Sequence, residues 1–224
     1  MNTKSSFELN SSPYSFCQET QFLYKNENLI HSNDIHLNLT SFNRKRLNPG
    51  EPSVNWQTDL LSSIPIQITE GEFLEQEQNK IRSLAAKAPT DVDGFLEWFQ
   101  AQKEVGPGQF DSLFDWLAES ADYDQMRWFI QQEFAGEAGF EDLVALTQLK
   151  LPVQAKLELA RNYWDEMGRG KASSMHGPLL DRLAEEMNVT DTPESDLVWE
   201  ALALGNLLVG LAANRRFAYH SLGA

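Results

Sequence analysis

The chain of 224 residues contains one cysteine, Cys17, so neither an internal disulfide nor a thiolate metal cage can form. That usage suits a reducing compartment, and a cytoplasmic location is expected. No apolar run reaches the ~18 residues needed to span a bilayer. The stretch 197–213 comes closest, but Glu200 and Asn206 interrupt it, and it reads as a buried helix. The N-terminus lacks a basic stretch followed by an apolar one, so no secretory leader is expected. Basic residues are scarce as well. The net charge is −15, a surface that repels nucleic acid phosphates and anionic lipid, so neither nucleic acid nor membrane is an expected partner. Arg44-Lys45-Arg46 is too short to bind DNA alone and reads as a solvated loop. No Gly-x-x-x-x-Gly-Lys loop and no Gly-x-Ser-x-Gly elbow is present. No alternating run of β-branched residues marks a strand.

Hydrophobic residues make up 42% of the chain, enough for a sizeable core. Of the 33 acids and 18 bases, five of each fall in residues 1–55, which leaves 28 against 13 for the remainder. Residues 1–55 are rich in Asn and Ser and have no sustained period. They are predicted to be a poorly ordered N-terminal tail, with the folded domain over 56–224. His31 and His36 lie in this tail without convincing ligand partners.

From about residue 70 the pattern is helical. Thr90 is predicted to cap a helix carrying Phe95, Trp98 and Phe99. Pro107 opens another with Phe110, Leu113, Phe114 and Leu117 at three- and four-residue spacing. Asp122 caps the next, through Met126, Phe129, Ile130 and Phe134. Pro152 starts a helix to about Met167 that Gly168-Arg169-Gly170 stops. Another covers roughly 176–188, and Pro193 begins a long final one. The fold class is all-α.

Acids on apolar faces are the informative feature. Met126, Ile130, Glu133 and Glu137 share one helical stripe. A lone buried carboxylate costs several kcal/mol, on the order of magnitude for charge burial, unless it is paired or bound to metal. Gly136 and Gly139 can end the helix and leave Glu137 exposed. Taken alone, the stripe reads more simply as solvated or salt-bridged glutamate than as a metal ligand. Glu166 likewise closes a stripe with Leu159 and Tyr163. On an unbroken helix His176 would stand roughly 15 Å beyond it, too far to share an ion. The intervening glycines and serines supply a break that can bring it back. A lone histidine at a helix start is nevertheless more often a structural hydrogen-bonder.

The stretch Arg127-Trp128-Phe129-Ile130-Gln131-Gln132-Glu133-Phe134-Ala135-Gly136-Glu137-Ala138-Gly139-Phe140-Glu141-Asp142-Leu143 resembles the first core helix of the iron-containing redox enzyme family. So do Ala160-Arg161-Asn162-Tyr163-Trp164-Asp165-Glu166-Met167-Gly168-Arg169-Gly170 and Met175-His176-Gly177-Pro178-Leu179-Leu180. The family belongs with heme-oxygenase-like di-iron oxidases and oxygenases, related in fold to thiaminase II and the pyrroloquinoline quinone synthesis oxidase. The resemblance covers roughly 70–224. It implies a heme-oxygenase-like helical bundle that holds iron (Fe2+, in pairs in such enzymes) through carboxylates and histidines. Such enzymes use O2 as co-substrate on small organic molecules, which makes a small-molecule substrate the expected partner. By the same resemblance Glu133, Glu166 and His176 are the metal ligands, with Glu137 and Glu141 competing for the role of Glu133.

The family pattern continues past this chain's last residues with a further glutamate and a helix bearing His-x-x-x-Asp-x-x-His. The resemblance therefore implies an incomplete bundle, inactive or partner-dependent in this form. Its final helix, Leu197 to about Ala218, is predicted to lack cover on one apolar face. That favours a homodimer or association with a missing C-terminal half. His220 is a weak substitute ligand. Two other readings stand beside the enzyme: a non-catalytic helical remnant or interaction module, and a metal-free thiaminase-like enzyme. Cys17, in the tail, counts against the last.

Overall fold

The computed structural model describes residues 32–106, 108–137, 139–190 and 192–224, and no strand occurs among them. Cys17, His31 and Pro107 lie outside the described residues. The α-helices are α1 (Asn33–Leu47), α2 (Trp56–Ala85), α3 (Val92–Val105), α4 (Ser112–Glu119), α5 (Tyr123–Gly136), α6 (Phe140–Thr147), α7 (Val153–Glu166), α8 (His176–Met187) and α9 (Trp199–Ala213).

Three of these helix starts, those of α3, α4 and α5, follow from side chains that satisfy free backbone N–H groups. Asp122 accepts from Gln125 N at 2.9 Å while Gln125 Oε1 accepts from Asp122 N at 3.0 Å, a reciprocal box that fixes the start of α5. The cap of α3 is Asp91, one residue beyond the predicted Thr90, and its carboxylate accepts from Gly94 N at 2.8 Å. Asp111 caps α4, so Phe110 falls outside the helix, with φ +58°. Pro193 caps only a 3-10 turn, Glu194–Asp196, and α9 starts at Trp199.

Helix α9 is apolar on every side, the pattern of a helix enclosed by others. It packs against α1, α2, α5 and α6. Leu202, Val209, Leu211 and Ala212 are buried on it. One core cluster joins Leu39 of α1 and Phe73 and Leu74 of α2 to Leu211 and Phe217. A second joins Leu143 of α6 to Val209 and Ala212. Gly210 lets α2 approach closely, since a Cβ there would meet Leu74 Cδ2 at 3.1 Å. Buried polar groups tie the ends of the assembly. Gln132 of α5 donates to Asp196 O at 3.0 Å and accepts from Val198 N at 2.9 Å, which anchors the entry to α9.

Two expectations are corrected together. Residues 33–47, placed by sequence in a poorly ordered tail, form α1, whose His36, Leu39 and Asn43 are buried. The second apolar face of the final helix, expected to lack cover, is covered by α1 and α2. The physical reason is that α1 carries few but well-spaced anchors. Leu39 is fully buried, His36 stacks on Trp199 with ring centroids 5.8 Å apart, and Asn43 bonds to Asn206 at 2.9 Å. Arg46, at its end, forms a two-pronged pair with the buried Glu70 of α2, at 2.5 and 3.0 Å.

Candidate metal centre

Three breaks in the helices build the site. The first is at Gly136–Gly139: α5 ends at Gly136, Gly139 takes φ +73°, and α6 starts directly after it. The stretch read as one helix is thus two, and the corner carries Glu137 and Glu141 to the same side. The second break follows Glu166. Gly168, Arg169 and Gly170 have φ of +59°, +53° and +83°, and two 3-10 turns fold the chain back. A Cβ on Gly168 would stand 2.5 Å from Ser174 C, so only glycine fits both the angle and the space. The third is Met175, the cap of α8, which makes His176 the first residue of that helix.

These breaks bring together what a straight chain would separate. His176 Nδ1 lies 3.0 Å from Glu166 Oε2 and His176 Nε2 lies 3.1 Å from Glu137 Oε1. The first is a hydrogen bond. The second has ion-pair distance without hydrogen-bond alignment, since Glu137 Oε1 is buried without a hydrogen-bond partner among the described residues. Glu141 Oε2 is in the same condition. Its other oxygen rests on Gly177, where a Cβ would overlap it, so the glycine after His176 makes room for this carboxylate. Burial pushes the Glu137 carboxyl above its ordinary range. His176 opposes that rise, and the charges of Glu141, Glu166 and Glu133 add to it.

Of the three residues singled out by sequence, Glu166 and His176 are brought into contact. Glu133 is exposed on α5 and acts on the group only through its charge on Glu137. Glu137, which the sequence left open as exposed or as an alternative to Glu133, is the half-buried one that meets His176. Sequence reasoning had set Glu141 only as a competitor. The signal for its place was Gly177, a small residue beside the histidine. His220 is exposed and takes part in a 2.8 Å contact with Gln78, and His36 is a core residue of α1.

Three to four carboxylates around one imidazole leave an excess of negative charge, and two of their oxygens are buried without a hydrogen-bond partner among the described residues. Buried polar atoms are almost always satisfied. Carboxylate and imidazole donors suit a non-haem iron ion, so the donor set and its charge fit one. The present contacts, at 3.0 and 3.1 Å, are those of a hydrogen bond and an ion pair. Among the described residues no three such side chains stand ready around a single point. A groove opens beside Glu166 and His176 along Leu179, Leu180 and Leu183 of α8.

No curated protein and no solved structure matches the chain. Residues 127–224 match the family described as iron-containing redox enzyme. The matched part runs from α5 to the C-terminal turns and contains Glu133, Glu137, Glu141, Glu166 and His176. Over these residues, somewhat less than half of the chain, the sequence is similar to the iron-containing redox enzymes.

Proposed function

We propose that the chain is a non-haem iron oxidoreductase that uses O2 on a small organic substrate, with Glu137, Glu141, Glu166 and His176 holding the iron. The observation that carries this reading is the pair of buried carboxylate oxygens without a hydrogen-bond partner among the described residues, Glu137 Oε1 and Glu141 Oε2, beside His176. A bound ferrous ion would supply the electrons and the open coordination positions that O2 reduction requires.

The chain's own groups prepare that chemistry. Before an ion is bound, Glu166 keeps the imidazole beside the other carboxylates by its hydrogen bond to Nδ1. The helix breaks keep Glu137 and Glu141 half-buried, where water competes less for their oxygens. Leu179, Leu180 and Leu183 give an apolar approach for the carbon skeleton of a substrate.

The test is anaerobic loading with ferrous ions, removal of free metal, and admission of oxygen while dissolved O2 is followed. Oxygen uptake above that of the same amount of free ferrous ion supports the enzyme. Uptake no faster than the free ion overturns it. A second reading, a non-catalytic helical module, is favoured by one observation: both nitrogens of His176 already face carboxylates. Under that reading the ion pairs only staple α7 and α8 to the corner between α5 and α6, and no iron is retained.

A further inference from the structure

A cavity of about 490 Å3 lies between α1, α5 and α9, and it shares no lining side chain with the carboxylate–histidine group. Its inner wall is apolar, with Val189, Leu197, Leu202 and Val209 all buried. Its polar wall is uncharged. Thr40 and Asn43 come from α1 and Asn206 from α9, and their hydrogen bonds form a directed chain. Asn206 Nδ2 donates to the backbone carbonyl of His36 at 2.9 Å, which fixes the amide's orientation. Asn206 Oδ1 must then face α1, where it accepts from Asn43 Nδ2 at 2.9 Å and Thr40 Oγ1 at 3.3 Å. That in turn fixes Asn43. Its Oδ1 is left buried with no hydrogen-bond partner among the described residues, although Asn43 is only 3% exposed.

The charged residues of the lining sit at the rim. Arg44 is largely exposed and paired with Glu194 at 3.1 Å, and Asp142 is exposed. A charged head group entering deeply would lose its water with no counter-charge to replace it. A neutral hydrogen-bond donor would instead satisfy the one acceptor left open.

We propose that this cavity is a binding site for a small uncharged molecule that joins an O–H or N–H donor to an aliphatic body. The donor goes to Asn43 Oδ1 and the aliphatic part lies against Leu202 and Val209. The site does not depend on iron and is tested on the metal-free chain.

The probes are 1-hexanol and its isomer methyl pentyl ether, which match in heavy atoms but differ in the donor. Titration of the 15N-labelled protein follows the side-chain amide resonances of Asn43 and Asn206. Hexanol is expected to shift them saturably and to bind about tenfold more tightly than the ether, the worth of one hydrogen bond. Leu47→Trp, at the exposed edge of the cavity, should block the shifts while leaving the rest of the spectrum unchanged. Equal affinity for the two isomers, shifts that do not saturate, or shifts confined to residues around His176 would each overturn the assignment.

Discussion

Glu166 and His176 are ten residues apart in sequence and 3.0 Å apart in space. The closure depends on Gly168, whose φ of +59° lies in the left-handed region and whose missing Cβ leaves room for the backbone of Ser174 and Met175. Gly168→Ala should therefore destabilise the chain by about 1–3 kcal/mol, the scale of one strained residue. It should also lower iron affinity by parting His176 from Glu166. Thermal unfolding and ferrous titration of the variant check both effects. An unchanged melting temperature would show that the turn is not under this constraint.

Glu133 and Glu137 lie on one stripe of the sequence, yet the corner at Gly136–Gly139 sends only Glu137 to His176. Glu137→Gln should weaken iron binding by at least roughly tenfold, the range for loss of a ligand or its close support. Glu133→Gln should leave binding within about twofold, as an exposed charge screened by salt. Competition against a coloured ferrous chelator measures both. The reverse order would make Glu133 the ligand from this segment.

Leu39 of α1 is fully buried against Phe73, Leu74 and Leu211. Leu39→Ala should cost about 2–5 kcal/mol in urea unfolding, the usual range for truncating a buried leucine. A change below about 0.5 kcal/mol, typical of surface substitutions, would mean that α1 does not pack on the core in solution.

Burial raises the Glu72 carboxyl above its ordinary range, and the neighbouring Glu75 adds to the rise. An acid with a raised native pKa binds more protons folded than unfolded. It therefore lowers stability as pH rises from the unfolded value of about 4.3 through the folded one. Glu72→Gln should melt at a higher temperature than wild type at pH 7, and the gap should close below about pH 4. A gap that persists at low pH would have a cause other than this titration.

Much of the helix pattern was legible because caps and punctuation are local. Asp122, Pro152 and Gly168 announce their turns within a few residues. The segment 33–47 was not, because Leu39, His36, Asn43 and Arg46 are held by partners 24 to 170 residues away rather than by a strong period of their own. The misreading of α9 as uncovered followed from the same cause. In the centre, the glycine break was legible from types and spacing, whereas Glu166 and His176 were singled out by the resemblance and not by their spacing. The rank of Glu137 over Glu133 was not, since it depends on the angle at Gly139, which the residue types alone leave open.

The central claim is that the carboxylates around His176 form a site for iron. It is tested most directly by iron per folded chain after anaerobic ferrous loading of wild type and His176→Ala, with helix content followed by circular dichroism. The account predicts at least one ferrous ion retained per wild-type chain, none in the variant, and nearly the same helix content in both. Equal iron uptake by the two proteins would contradict it.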